Sequence, residues 1–146
     1  MLRSLHILGL LHWNPHWQCF EQSPACSAGA TKALTKLLNP ATLDFANVIE
    51  FETTTFTPPA GWASIGAFQS CGHDWDTLFY NTDRWSLVDN ATGCLTPSRS
   101  FAAGTFQLKT DPEVEVVIFG AHFPQTPSER CDSLDLTEGC VDSYEL

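Results

Sequence analysis

Short apolar segments alternate with polar, proline-containing loops along the chain, and their spacing predicts the secondary structure. Residues 5–13 predict a first strand, and apolar residues at helical spacing predict a helix around 31–38. Each segment is followed by an Asn-Pro pair, which interrupts regular backbone pairing. A second strand is predicted at 44–52, so the chain is expected to open as β-α-β.

The second part of the chain predicts strands only. The last of them contains Val116, Val117, Ile118 and Phe119, an unbroken apolar run typical of a strand buried on both faces. Together these segments predict an α+β fold, with one mostly antiparallel sheet and a helix on one face. The further strands are expected near 64–70, 76–81, 85–89, 99–109 and 114–121.

Length and charge limit the class of protein. The chain has 146 residues, 43% of them hydrophobic, which suits one folded domain. We expect that domain to cover 1–127, with 128–146 as an acidic tail or a truncated continuation. A net charge of −10 argues against extensive electrostatic binding of nucleic acid phosphates, but it is compatible with a phosphate site bridged by a metal.

Cysteine spacing favours disulfide bonds over zinc. None of the 6 cysteines forms a Cys-x-x-Cys motif, and Cys19–Cys26 and Cys131–Cys140 are plausible pairs among several possible connectivities. Asn90-Ala91-Thr92 is a glycosylation sequon. We therefore expect a secreted protein or one of the secretory pathway, although no signal peptide is evident and no apolar run is long enough to span a membrane.

Three predicted strands carry a polar group at or near their ends. Asn14 ends the first strand, Glu50 lies in the second, and His122 follows the last. A carboxylate and a carboxamide supply oxygen ligands for a hard divalent cation, and a nearby histidine can transfer a proton. A buried Glu50 would also need a partner, which favours a functional role for it.

The order of these motifs resembles the endonuclease/exonuclease/phosphatase superfamily, which includes the deoxyribonuclease I-like enzymes. The first strand ends in LHWN, and Asp44 to Glu50 matches the family pattern Asp-apolar-apolar-x-apolar-x-Glu. LFYNTDRW at 78–85 resembles an apolar-Tyr segment followed by a basic residue, and GAHFP at 120–124 resembles the family's histidine turn. The resemblance covers roughly residues 5–125 and implies an α/β-sandwich.

The resemblance also implies roles for individual residues. Asn14 and Glu50 would hold or orient Mg²⁺, or another hard divalent cation such as Mn²⁺ or Ca²⁺. Tyr80 would contact the scissile phosphate, and His122 would act in acid/base chemistry or phosphate stabilisation. Arg84 is a candidate phosphate contact. The alternatives are a turn for Asn14, core packing for Tyr80 and a solvated surface charge for Arg84.

Two elements of the family pattern are missing from the chain, namely an Asp-x-Asn motif and a terminal Asp-His pair. The resemblance therefore implies an incomplete phosphoesterase, acting on nucleic acid, lipid or small phosphate esters, whose exposed sheet face favours self-association. A catalytically inactive, disulfide-stabilised secreted binding module is the alternative. Two further clusters are interpreted as turns: His12, His16 and Glu21, and His73, Asp74 and Asp76.

Overall fold

The computed structural model describes residues 7–39, 43–66 and 71–123. The predicted β-α-β opening is confirmed, with a short additional helix before the main one. The main helix begins earlier than predicted because Pro24 occupies its first position and the Ser23 hydroxyl accepts a hydrogen bond from the Cys26 amide at 3.3 Å. The elements are β1 (Leu10–Trp13), α1 (Trp17–Glu21), α2 (Pro24–Leu37), β2 (Phe45–Ile49), β3 (Trp62–Gly66), β4 (Asp76–Asn81), β5 (Trp85–Thr96), β6 (Arg99–Leu108) and β7 (Asp111–Ala121).

The strands form two sheets, where a single sheet was predicted. One has the order β1-β2-β4-β3, with β1 parallel to β2 and the other pairs antiparallel, and the second is the antiparallel sheet β5-β6-β7. Every second residue of β6 is buried and the others are half-buried. One face of this strand therefore packs against the first sheet, and the other face is turned away from it. The α+β, mainly antiparallel class is confirmed in this two-sheet form.

The core has two parts, one on each face of the four-stranded sheet. Leu34 and Leu38 pack against Val48 and Phe79 on the helical side. Between the sheets, Phe45 and Leu78 pack against residues of the second sheet, among them Trp85, Ala102, Phe106 and Leu108. All five residues of β2 are buried because this strand is covered on both faces. None of the described helices has the length and apolar character needed to cross a membrane.

Two disulfide bonds link the described cysteines. Cys19–Cys26 joins the two helices, as predicted, and Cys71–Cys94 ties the segment before β4 to β5. The predicted pair Cys131–Cys140, like the tail at 128–146, lies outside the described residues.

Removing Cys71–Cys94 should destabilise the fold. Because the bond joins residues 23 apart, replacing both cysteines by alanine is expected to lower the free energy of unfolding by about 3 kcal/mol. Urea unfolding of the double variant measures this loss. The matched control replaces Cys19 and Cys26, 7 residues apart, for which we expect a smaller loss of about 2 kcal/mol. A urea midpoint that stays unchanged when Cys71 and Cys94 are replaced would contradict the prediction.

Candidate functional site

The topology brings several strand ends to one edge of the molecule. Asn14 follows β1 and Glu50 follows β2, and because these strands are parallel, both residues leave the sheet at the same edge. Because β4 is antiparallel to β2, the chain enters β4 at this same edge, and Asp74 lies two residues before the strand begins. In the second sheet, Arg99 begins β6 and His122 follows β7, its antiparallel neighbour.

Glu50 lies at the centre of this site, with a side chain that is only 8% exposed. Its Oε1 accepts a hydrogen bond from Asn14 Nδ2 at 2.8 Å, and its Oε2 accepts one from the Trp17 amide at 2.8 Å. The Nδ1 atoms of His122 and His16 lie 3.4 and 3.7 Å from these two oxygens. The carboxylate therefore faces groups from two segments of the chain, residues 14–17 and the end of β7 at His122.

These donors keep Glu50 ionised. Burial alone would raise its pKa, but the hydrogen bonds from Trp17 and Asn14, together with the charges that His122 and His16 carry at acidic pH, outweigh burial, so the pKa is lowered. Glu50 is thus a carboxylate at neutral pH, the form that binds a cation.

His122 is held between opposite charges. Arg99 Nη1 lies 3.0 Å from Asp74 Oδ2, and the same guanidinium contacts both ring nitrogens of His122. Burial and the Arg99 charge lower the pKa of His122, against the opposing effect of Glu50 and Asp74. A neutral imidazole results at neutral pH, which is suited to accepting a proton.

Backbone strain is concentrated at the same place. Among the described residues, three that are not glycine have a positive φ: His16 at 72°, Glu50 at 56° and Asp74 at 59°. Such conformations cost about 1–3 kcal/mol each and persist where the surroundings impose them. All three belong to the candidate site, so the surrounding contacts impose this strain there.

Three of the predicted site residues come together, and two do not. Asn14 reaches Glu50 and also makes the turn given as its alternative, since its Oδ1 accepts a hydrogen bond from the His16 amide at 2.7 Å. Tyr80 is four residues along β4 from the edge of the site, about 13 Å at strand spacing. Its ring packs on Phe106, with 5.0 Å between centroids.

Arg84 also lies beyond the far end of β4. Its Nη1 is 2.7 Å from Asp44 Oδ1, a partner that the sequence analysis did not foresee. Asn90 is exposed and lies within β5.

Asp74, Arg99 and His16 are members of the site that the sequence analysis missed. The interpretation of His73, Asp74 and Asp76 as a turn is confirmed for His73 and Asp74, which lie in the bend before β4, and is wrong for Asp76, which is the first residue of that strand. An acid just before a strand that runs antiparallel to β2 is the signal that could have identified it. Arg99 carries no comparable local signal.

Glu50, Asp74 and His122 have the chemistry of a cation site. Each offers one ligand atom, and these three atoms lie within 4.8 Å of one another. Two carboxylates supply the oxygen ligands that hard divalent cations prefer, and the low pKa of Glu50 keeps it available. The residues therefore fit a divalent cation.

Comparison with known proteins identifies the fold. No protein-family model matches the chain, and no curated protein matches it in sequence. An endonuclease/exonuclease/phosphatase family protein from Bacteroides thetaiotaomicron superimposes on 93% of this chain with a TM-score of 0.68 and 16% identity. A mannosyl-6-phosphatase from the same species covers 94% with a TM-score of 0.68 and 15% identity. The human nocturnin catalytic domain, with a bound sulfate anion, covers 88% with a TM-score of 0.65 and 17% identity.

This chain covers only part of each of these three structures. The chain spans 57% of the first, 60% of the second and 56% of the third. It therefore has this fold over somewhat more than half the length of the structures that it resembles.

Proposed function

We propose that this chain, which has the fold of endonuclease/exonuclease/phosphatase proteins, carries part of the active site of a metal-dependent phosphoesterase. The observation that supports this most directly is the convergence of Glu50, Asp74 and His122 from three strand ends. Phosphoesterase chemistry needs positive charge next to the phosphoryl group and a group that moves a proton. A cation held by these residues would supply the first, and His122 would supply the second.

Glu50 is proposed to hold the cation, with Asn14 fixing the orientation of its carboxylate through the 2.8 Å hydrogen bond. Mg²⁺ is the first choice, because the carboxylate oxygens are hard ligands. A cation bound there would polarise a phosphoryl oxygen and neutralise charge that develops on it.

His122 and Arg99 are proposed to act on the phosphate group. As a neutral imidazole, His122 can accept a proton or donate a hydrogen bond at the edge of the site. Arg99, paired with Asp74, contributes a fixed positive charge next to it. Tyr80 and Arg84 remain candidates from the resemblance only.

The proposed substrate is a small or lipid phosphate ester rather than long nucleic acid. A net charge of −10 from 17 acidic and 7 basic residues gives no electrostatic attraction for a polyphosphate backbone. Secretion and glycosylation at Asn90 are part of the same proposal, and the two disulfide bonds are consistent with it.

Mg²⁺ should stabilise the fold through Glu50. At a free Mg²⁺ concentration 100 times the Kd, we expect the free energy of unfolding to rise by about 2.7 kcal/mol, because the cation binds only the folded chain. Thermal unfolding with and without Mg²⁺ measures this. In Glu50→Gln, which keeps the size of the side chain but removes its charge, the increase should disappear.

The matched control is Glu113→Gln, which removes an exposed acid on β7 and should leave the Mg²⁺ effect unchanged. An equal increase in Tm for wild type and Glu50→Gln would rule Glu50 out as the ligand. If Mg²⁺ has no effect on the wild type, the binding-module alternative becomes the better explanation.

A further inference from the structure

We infer that Glu21, Glu52 and His73 form a second divalent-cation site, suited to a transition metal of the Zn²⁺ class. One ligand atom from each of these residues lies within 4.8 Å of the others. None of the three belongs to the cluster formed by Glu50, Asp74 and His122, so the two sites use different ligands.

The spacing of the ligand atoms suits tetrahedral coordination. His73 Nδ1 lies 3.2 Å from Glu21 Oε1 and 3.5 Å from Glu52 Oε2. Ligands at about 2.0–2.1 Å from a tetrahedral Zn²⁺ are separated by about 3.3 Å, which is close to both distances from His73. An imidazole with two carboxylates is also a donor set that Zn²⁺ accepts, whereas at the first site His122 is proposed to act on the phosphate and the cation to bind carboxylate oxygen.

Glu52 is the buried member of the cluster. Its side chain is 6% exposed, and its Oε1 accepts a hydrogen bond from the Asp74 amide at 2.7 Å, which directs Oε2 towards His73. Among the described residues, no lysine or arginine forms an ion pair with Glu21 or Glu52. A buried carboxylate beside a second carboxylate is unfavourable without a cation, and a bound divalent metal would supply the missing charge.

The ligands are held in place by groups around them. The Trp17 ring lies 5.9 Å from the His73 ring, centroid to centroid, and Trp17 and Glu21 are one turn apart on α1. Such outer contacts orient metal ligands in known sites. Because Glu52 also holds the Asp74 amide, a metal here would stiffen the segment that carries Asp74 to the first site.

Isothermal titration with Zn²⁺ alone as the ligand, in excess Mg²⁺ to occupy the first site, tests this inference on the full chain. We expect the wild type to bind one Zn²⁺, and His73→Ala and Glu21→Gln to weaken that binding more than about 10-fold, the loss that even outer-shell changes produce. His73 and Glu21 are 65% and 40% exposed, so both variants should fold normally.

Glu50→Gln separates the two sites. If the inference is right, this variant keeps the Zn²⁺ affinity of the wild type even though its Mg²⁺ response is lost. Wild-type Zn²⁺ affinity in both His73→Ala and Glu21→Gln would overturn the inference, and so would loss of the same binding event in Glu50→Gln. Neither result would bear on whether the first site hydrolyses phosphate esters.

Discussion

Replacing Asp44 by alanine is expected to lower the free energy of unfolding by about 3–5 kcal/mol, the loss typical of breaking a buried ion pair from one side. Asp44 is fully buried. Its Oδ1 accepts a hydrogen bond from Trp85 Nε1 at 2.7 Å and pairs with Arg84 Nη1 at 2.7 Å, while its Oδ2 accepts one from the Gly9 amide at 2.8 Å. Alanine would leave all three donors without this partner.

Urea unfolding of Asp44→Ala measures the effect, and Asp89→Ala is the control, because Asp89 is an exposed aspartate on β5. The control should change the free energy of unfolding by less than about 0.5 kcal/mol. Asp44→Asn should give an intermediate loss, since it keeps an acceptor oxygen but removes the charge opposite Arg84. A loss below about 1 kcal/mol in Asp44→Ala would show that these contacts add little.

Asp44 and Glu50 belong to one sequence motif but have different functions in the structure. They flank β2 at opposite ends, and Asp44 fixes the far end of the sandwich while Glu50 forms the centre of the candidate site. The sequence predicted the strand between them because four of its five residues are apolar, with Asn47 as the exception. It could not separate an acid of the core from one of the candidate site, because their partners come from distant segments.

The same limit explains which site residues were predicted. Asn14, Glu50 and His122 lie next to apolar runs, so a local pattern was enough to place them at strand ends. Asp74 and Arg99 join the site only through the antiparallel pairing of β4 and the position of the second sheet. The spacing of nearby residues predicts neither of these. Tyr80 was assigned by resemblance, and its alternative, core packing, matches its contact with Phe106.

Strand pairing also explains which cysteines form disulfide bonds and why there are two sheets. Cys19 and Cys26 are close in sequence, so proximity alone suggested that pair. Cys71 and Cys94 meet because β5 extends well past the predicted strand at 85–89. That extension also gives β6 a long partner, which lets β5, β6 and β7 form their own sheet.

Asp76 should make the protein more stable in mild acid than at neutral pH. Its side chain is fully buried between the sheets, and burial raises its pKa to about 8, with only a 3.5 Å contact from Asn47 Nδ2 opposing this. Asp76 Oδ1 and Asn47 Oδ1 have no hydrogen-bond partner among the described residues. A protonated Asp76 can donate to an acceptor such as Asn47 Oδ1, whereas the carboxylate would leave a buried charge uncompensated.

The sign of the pH effect follows from these pKa values. An unfolded aspartate has a pKa of 3.8, so between pH 3.8 and about 8 the folded chain holds one more proton than the unfolded chain. The stability that this proton gives is complete below pH 3.8 and is lost progressively as the pH rises to about 8. Within this range the free energy of unfolding should fall by up to about 1.4 kcal/mol per pH unit.

Asp76→Asn isolates this effect, because asparagine keeps the shape of the side chain, donates a hydrogen bond and does not titrate. Other acids also change stability with pH, so urea unfolding of wild type and variant is compared at about pH 5 and about pH 7.5. We expect the variant to be more stable than the wild type by several kcal/mol at the higher pH, and the difference to shrink at the lower one. Asp111→Asn, at the start of β7, is the control, and its free energy of unfolding should match that of the wild type at both pH values. A difference between Asp76→Asn and wild type that is the same at both pH values would mean that Asp76 is already ionised in the folded chain, and that the space between the sheets supplies a partner for its charge.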